Sequence, residues 1–306
     1  MMIFHSEAGR QHRAVRVGRA VALALGIVAA AGVAAQTAPA TAKPAKPVAK
    51  KQAKPIDKPA LEARAVDLLK ATSARLAAAQ AMSFTATVGY EFPSRLGPPL
   101  VITSRYDVTM QRPDRLRVIN RGDGPASEFY LDGRTMVAFM PAENLVAVAD
   151  APPTLEAALK QAFEKAAIYF PFTDLLLVDP YAALADGTKL AFYVGPSGQV
   201  GGVRTDMIAW ANDDVFLQMW IGVDDKLPRR IRAVFRADPL RLRHDMELSN
   251  WQLDPVVPAD AFASAKAKAA QPIEFSHPAS APPPGVKPVA KPLKPAAKAQ
   301  STGGAK

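Results

Sequence analysis

Across VFLQMWIGVDDKLPRRIRAVFRADPLRLRHDMELSNW (Val215 to Trp251), Arg230, Arg232 and Arg236 fall on one parity and Ile231, Ala233 and Phe235 on the other. Successive side chains of a strand point to opposite faces, so this pattern specifies strands with one apolar and one arginine-bearing face. Leu240, Leu242, Met246 and Leu248 extend the apolar parity against Arg241, Arg243, Asp245 and Glu247. The preceding run, Val215 to Val223, is apolar at nearly every position, which predicts burial on both faces or the wall of an apolar space. Asp224-Asp225-Lys226 supplies the turn between the two runs. The stretch demands a twisted antiparallel sheet, and the remaining chain has to cover its greasy face.

Charge decides which parts can do so. The 306 residues carry a formal net charge of +10 and no cysteine. Residues 1–35 contribute +3, residues 36–60 +5 and residues 279–306 +5, so the ends hold +13 and the body is left at −3. A basic folded domain is the electrostatic footprint of nucleic-acid binding, and the body lacks it, so no nucleic-acid partner is expected. The missing cysteines remove disulfides, thiol nucleophiles, thiolate metal sites and a lipid-modified N-terminal cysteine.

Residues 1–35 read as a secretory signal: four arginines, an apolar run from Ala20 to Ala31, and Val33-Ala34-Ala35 as a small-residue cleavage site. Residues 36–60 and 279–306 are mixtures of Ala, Lys and Pro, a composition that cannot bury a core and is expected to be disordered. Between them, residues 61–278 are expected to form one domain. Leu61 to Met82 predicts a long amphipathic helix. Ser83 to Phe92, Val101 to Gln111, Arg115 to Asn120, Glu128 to Leu131, Thr135 to Met140 and Asn144 to Ala149 predict a meander. Its Asp132-Gly133 pair is the signature of a type I′ hairpin turn, with φ > 0 at both centres. Pro152-Pro153 interrupts the sheet. Thr154 caps a helix running to about Tyr169, followed by helical pieces over Phe172 to Val178 and Tyr181 to Ala185, the latter closing at Gly187. Strands resume at Lys189 to Val194 and Val203 to Trp210.

This layout, exported and free of cysteine, resembles the periplasmic half-barrel family of the outer-membrane lipoprotein carrier. More narrowly, YLDGRTMVAFMPAENLVAVADAPPTLEAAL (Tyr130 to Leu159), YFPFTDLLLVDP (Tyr169 to Pro180), DDVFLQMWIGVDDKLPRRI (Asp213 to Ile231) and the closing PIEF (Pro272 to Phe275) resemble the predicted periplasmic proteins grouped as domain-of-unknown-function family 2092. Where a Cys or His is expected near Val203 to Ile208, this chain has Arg204-Thr205-Asp206. The resemblance implies an α+β fold in the periplasm: a curved antiparallel half-barrel, with a long N-terminal helix and a helical insert plugging the concave face. By analogy it implies handling of a lipid or lipoprotein acyl chain.

No residue set points to an enzyme, a cofactor or a metal. His244 and His277 lack carboxylates at ligand spacing. His244, on the apolar parity, is expected to be a hydrogen-bonded core residue, and Ser197 in Gly-Pro-Ser-Gly belongs to a turn rather than a nucleophile elbow. Trp210, Trp220 and Trp251 with Phe129, Phe139, Phe163, Phe170 and Phe172 read first as core. A curved sheet can also enclose a cavity, and its expected lining is Phe163, Leu176, Leu217, Met219, Trp220, Ile221 and Phe235. The arginine parity reads as a solvated convex face. The basic tails are expected to meet anionic envelope surfaces. The expected function is binding of a lipid or lipidated ligand; the alternative is an envelope interaction or stress-sensing module without a ligand.

Overall fold

The computed structural model describes residues 60–277. The expectations for residues 1–35, for residues 36–59 of the linker and for the tail from 279 lie outside the described residues.

Twelve strands form one open sheet in the order β12-β6-β5-β4-β3-β2-β1-β11-β10-β9-β8-β7. After helix α1 (Ala63–Ala78) come β1 (Ala81–Phe92), β2 (Leu100–Gln111), β3 (Arg115–Gly122), β4 (Ser127–Asp132), β5 (Thr135–Met140) and β6 (Leu145–Asp150). The insert consists of α2 (Leu155–Ala166), α3 (Thr173–Leu176) and α4 (Pro180–Ala185). It is followed by β7 (Leu190–Ser197), β8 (Thr205–Ala211), β9 (Val215–Gly222), β10 (Pro228–Phe235) and β11 (Arg243–Leu253). A 3-10 turn (Ala259–Phe262), α5 (Ala265–Lys268) and β12 (Gln271–Ile273) complete the fold. All strand pairs are antiparallel except β12 on β6, so this is the α+β curved half-barrel that the sequence implies. The closing of the sheet through β1 and β11 joins the first strand to the eleventh, with Val88 opposite Met246 and Tyr90 opposite His244.

One core fills the concave face. Met82, Phe84, Ala86 and Val88 of β1, Met110 of β2, Leu116 and Val118 of β3 and Leu131 of β4 meet Leu155, Leu159, Leu175 and Leu176 of the insert and Leu69 and Leu76 of α1. The 254–270 segment instead crosses to the convex side, where Phe262 (2 % exposed) lies under the Arg115 guanidinium and Ala267 packs on Phe139 and Val146.

Several boundaries differ from the sequence expectation for identifiable reasons. The first helix stops at Ala78 instead of reaching Met82, because the Asp254 carboxylate accepts from the N–H groups of Gln80 (2.7 Å) and Ala81 (3.1 Å) and draws the chain into the sheet. Helix α2 stops at Ala166 instead of Tyr169, since Ala167 turns left-handed (φ 53°) and donates to Ala162 O and Phe163 O. Its predicted cap is present: Thr154 Oγ1 accepts from Ala157 N at 3.2 Å. The Asp132-Gly133 hairpin forms without a type I′ turn. Gly133 alone takes positive φ (91°), and the Asp132 carboxylate accepts from Arg134 N and Thr135 N. Leu240 is not on a strand. The Asp238 carboxylate accepts from Leu240 N and Leu242 N, Arg241 has φ 52°, and the resulting loop leaves Leu240 60 % exposed. Strand β9 is not buried on both faces either: Val215, Leu217, Met219 and Ile221 point inward, and Phe216, Gln218 and Trp220 outward.

Candidate functional site

The structure divides the seven expected lining residues. Leu176, Met219 and Ile221 are fully buried and Leu217 nearly so, all within the shared core. Phe235 packs against that core at its margin and Phe163 is half-buried on α2. Trp220 is placed on the other face. It lies beside Arg230, whose guanidinium stands 5.4 Å from the indole ring, because a side chain one position from Met219 and Ile221 must project oppositely.

A less covered stretch of the concave face lies at the end where β1 turns into β2. Register continues the apolar parity past Val88 to Tyr90 and Phe92, opposite Ile102 and Leu100 of β2. On the other side of β1, Tyr90 faces His244 of β11, and His244 faces Ala233 of β10. Ile102 is 40 % exposed and Leu100 63 %, so this strip emerges from under the helical insert. The His244 ring stands edge-on between Tyr90 and Phe235, each 5.1 Å away. Its described partners are therefore rings, in place of the hydrogen-bonded setting expected for it. Inward from the strip runs a continuous aromatic train. Tyr106 touches Phe170 and Phe172, Phe172 touches Phe84, and Phe84 stacks on Trp251 at 4.4 Å.

Desolvation disfavours the charged forms of the groups in this region. Burial raises the phenols of Tyr90 and Tyr106, and at Tyr90 the neighbouring Tyr106 and Tyr169 add to it. Tyr169 leaves half its surface open. Desolvation by the surrounding protein, with Asp174 and Tyr106 beside it, pushes its pKa up to about 12. Burial raises the Asp174 carboxyl and lowers His244, the latter opposed by Asp238 and Glu91. A surface of neutral phenols, a neutral imidazole and alkyl groups is suited to an apolar ligand.

A second feature lies between α1, α4 and strands β7 and β8, a small cavity of about 90 Å³ lined by Leu61, Leu69, Tyr181, Ala191, Ile208 and Trp210, among others. It is smaller than the roughly 300–1,000 Å³ of ordinary ligand pockets. The Trp210 indole N–H donates to Leu184 O at 2.8 Å, which fixes the cavity floor.

The convex face is an ion-pair ladder. Arg230 meets Asp245 (2.7 Å) and Glu247 (3.8 Å), Arg121 and Arg105 share Asp107, and Arg243 pairs with Glu91, whose pKa falls on account of that bond. Among the described residues, no three His, Asp or Glu side chains are grouped to hold a metal, and no helix is long and apolar enough to cross a membrane.

The strip residues Tyr90, Leu100 and Ile102 were not singled out by sequence reasoning. The available signal was alternation carried through Tyr90, Phe92, Leu100 and Ile102 on both sides of the PSRLGPP tip.

No curated protein matches the chain in sequence. Among solved structures, it is similar to MucB. The match shares 18 % identity over 67 % of this chain, with a TM-score of 0.36 for MucB and 0.38 for the Pseudomonas aeruginosa MucA/MucB complex. The chain spans 64 % and 62 % of those two chains. It is similar to the Mycobacterium tuberculosis lipoprotein LppX at 12 % identity over 63 % of this chain and 97 % of that one, TM-score 0.40. It is also similar to LprF from Mycobacterium bovis, at 16 % identity over 66 % of this chain and 98 % of that one, TM-score 0.40. The family description of predicted periplasmic protein, domain of unknown function 2092, matches residues 65–276. The chain therefore belongs to this family of periplasmic proteins.

Proposed function

We propose that the protein binds a lipid or lipidated ligand through an acyl chain laid on the uncovered end of the concave face. The observation that carries this reading is the uncharged strip formed by Phe235, His244, Tyr90, Ile102 and Leu100, which emerges from the core with its outer members exposed. Alkyl surface left in water is costly, at about 25 cal/mol per Å², and an exposed apolar strip bordering a curved sheet is a place where a chain gains by docking. A chain longer than the strip continues inward only if the core packed on Leu217, Met219 and Ile221 opens.

Displacement of a fluorescent fatty acid, run beside native mass spectrometry of the purified protein, tests the proposal. Ile102→Glu places a charge where water already reaches. It is expected to keep the thermal transition and to lose the fatty acid, whereas Met219→Glu is expected to unfold the protein. Wild-type protein that takes up no acyl probe and carries no lipid in the mass spectrometer sinks the proposal. That result favours the second reading, an envelope interaction module without a ligand, which the complete burial of Leu176, Met219 and Ile221 supports.

A further inference from the structure

The two loops that flank the strip carry a different pattern. Beyond Ser104, paired with Gly122, the β2 ladder to β3 ends: Asp123 N–H donates to Thr103 O, the Asp123 carboxylate accepts from Thr103 N at 2.7 Å, and the β1–β2 hairpin projects past the neighbouring strand. Its tip and outer face present Leu96 (91 % exposed) and Val101 (61 %) beside Arg95. Because β1 pairs with β11, the loop entering β11 stands next to this hairpin, and it presents Leu240 (60 % exposed) among Arg236, Arg241 and Arg243. Together the segments 93–102 and 236–243 hold four arginines against one aspartate, Asp238. That aspartate is occupied in binding Leu240 N and Leu242 N, and Arg243 is engaged with Glu91. Arg236 lies beside Asp213, whose pKa it helps to lower, so Arg95 and Arg241 remain on the loops of a body whose own net charge is negative.

We propose that this end of the half-barrel docks on an anionic phospholipid surface, with Leu96, Val101 and Leu240 entering the headgroup region and Arg95 and Arg241 meeting lipid phosphates. Leu96 and Leu240 stand on two loop tips with most of their surface in solvent, 91 % and 60 % exposed. A bilayer interface accepts isolated apolar tips as long as the flanking charge matches its own. The basic sign of the loops on an otherwise acidic body provides that match, and surface potential acts over about a Debye length, roughly 8–10 Å. None of these side chains belongs to the acyl strip, so docking and ligand binding stand or fall separately.

The absence of cysteine makes the test direct. Leu96→Cys, Leu240→Cys and, at the opposite end of β11, the 99 % exposed Val256→Cys each take a single environment-sensitive NBD label in the full chain. With vesicles of phosphatidylcholine containing phosphatidylglycerol, the labels at 96 and 240 are expected to blue-shift and brighten, and the label at 256 to stay unchanged. Adding Arg95→Glu and Arg241→Glu is expected to weaken vesicle binding by roughly tenfold or more. The basic tails are the same in every variant, so adsorption by them alone gives no shift at 96 and 240, or an equal shift at 256. Either result overturns the proposal, as does binding that survives both charge reversals. Fatty-acid displacement measured on the same variants is expected to remain at the wild-type level, which separates this outcome from failure of the acyl strip.

Discussion

Two neighbours on β9 have opposite fates, and the difference comes from strand pleat alone. Ile221 is fully buried in the shared core and Trp220 lies half-buried over Arg230. Ile221→Ala is expected to cost about 2–5 kcal/mol, the range for a large-to-small change in a core. Trp220→Ala forfeits an exposed cation–π contact of about 0.5–1 kcal/mol together with some area. Chemical denaturation of the two variants checks the order. His244 allows a pH prediction. Burial between Tyr90 and Phe235 places its pKa below the ordinary 6.5, so the unfolded chain binds the proton more readily than the folded one. Stability must therefore fall as pH drops through the ordinary value toward the depressed one. Asp174, whose pKa is raised by burial, acts in the opposite sense at lower pH. His244→Phe retains a ring in the sandwich and is expected to lose less stability than wild type between pH 7 and pH 5. An identical loss in both proteins shows that the imidazole is not responsible.

At the scale of elements, the insert is held unevenly. The half-buried Arg112 guanidinium donates to Ala79 O (3.0 Å), Leu176 O (3.2 Å) and Leu177 O (3.0 Å), tying the end of α1, the end of β2 and α3 to one side chain. Nearby, Val178 N donates to Glu156 Oε1 at 2.8 Å, and the Asp179 carboxylate caps α4 through Ala182 N. At the other end, Phe170 and Phe172 are held by ring contacts with Tyr106, Phe129 and Phe84. Charged hydrogen bonds to backbone oxygens are worth about 1.5–3 kcal/mol each, so Arg112→Met is expected to destabilise the protein by several kcal/mol, with the largest rise in amide exchange over residues 170–179. In the wild type, the insert is expected to exchange faster than β9 and β10, since its attachment is by side chains where theirs is by ladders on both sides. Equal, deep protection of both identifies a static plug.

For the whole molecule, a single core links strands far apart in sequence. β1 pairs with β11, and the insert between β6 and β7 covers strands from both halves of the sheet. Neither half can close its apolar face without the other. Residues 60–277 are therefore expected to unfold in one step, with far-UV circular dichroism and tryptophan fluorescence giving coincident transitions. The fluorophores are well placed for this, with Trp210 buried on β8, Trp220 on the outer face of β9 and Trp251 stacked on Phe84. Two separated transitions divide the sheet into independent units.

Alternation within Arg230 to Phe235, the Thr154 cap and the Asp-Gly hairpin are local, so the strands, the insert and the polarity of each face were legible in the sequence, and the residues of Tyr130 to Leu159 and Asp213 to Ile231 carried the family. Boundaries were less so where a distant group decided them. Asp254 ends α1 across 174 residues, and the Asp238 carboxylate turns Leu240 out of the strand that its parity implied. The candidate site depended on tertiary structure most of all. Period two states that Leu217, Met219 and Ile221 share a face. How much of that face α1 and the insert cover depends on packing volume across the half-barrel, which leaves those three sealed and Tyr90, Ile102 and Leu100 at the open end. Likewise, the leucines and arginines of 93–102 and 236–243 become one surface only because β1 pairs with β11, a contact between chain segments that local residue preferences do not encode.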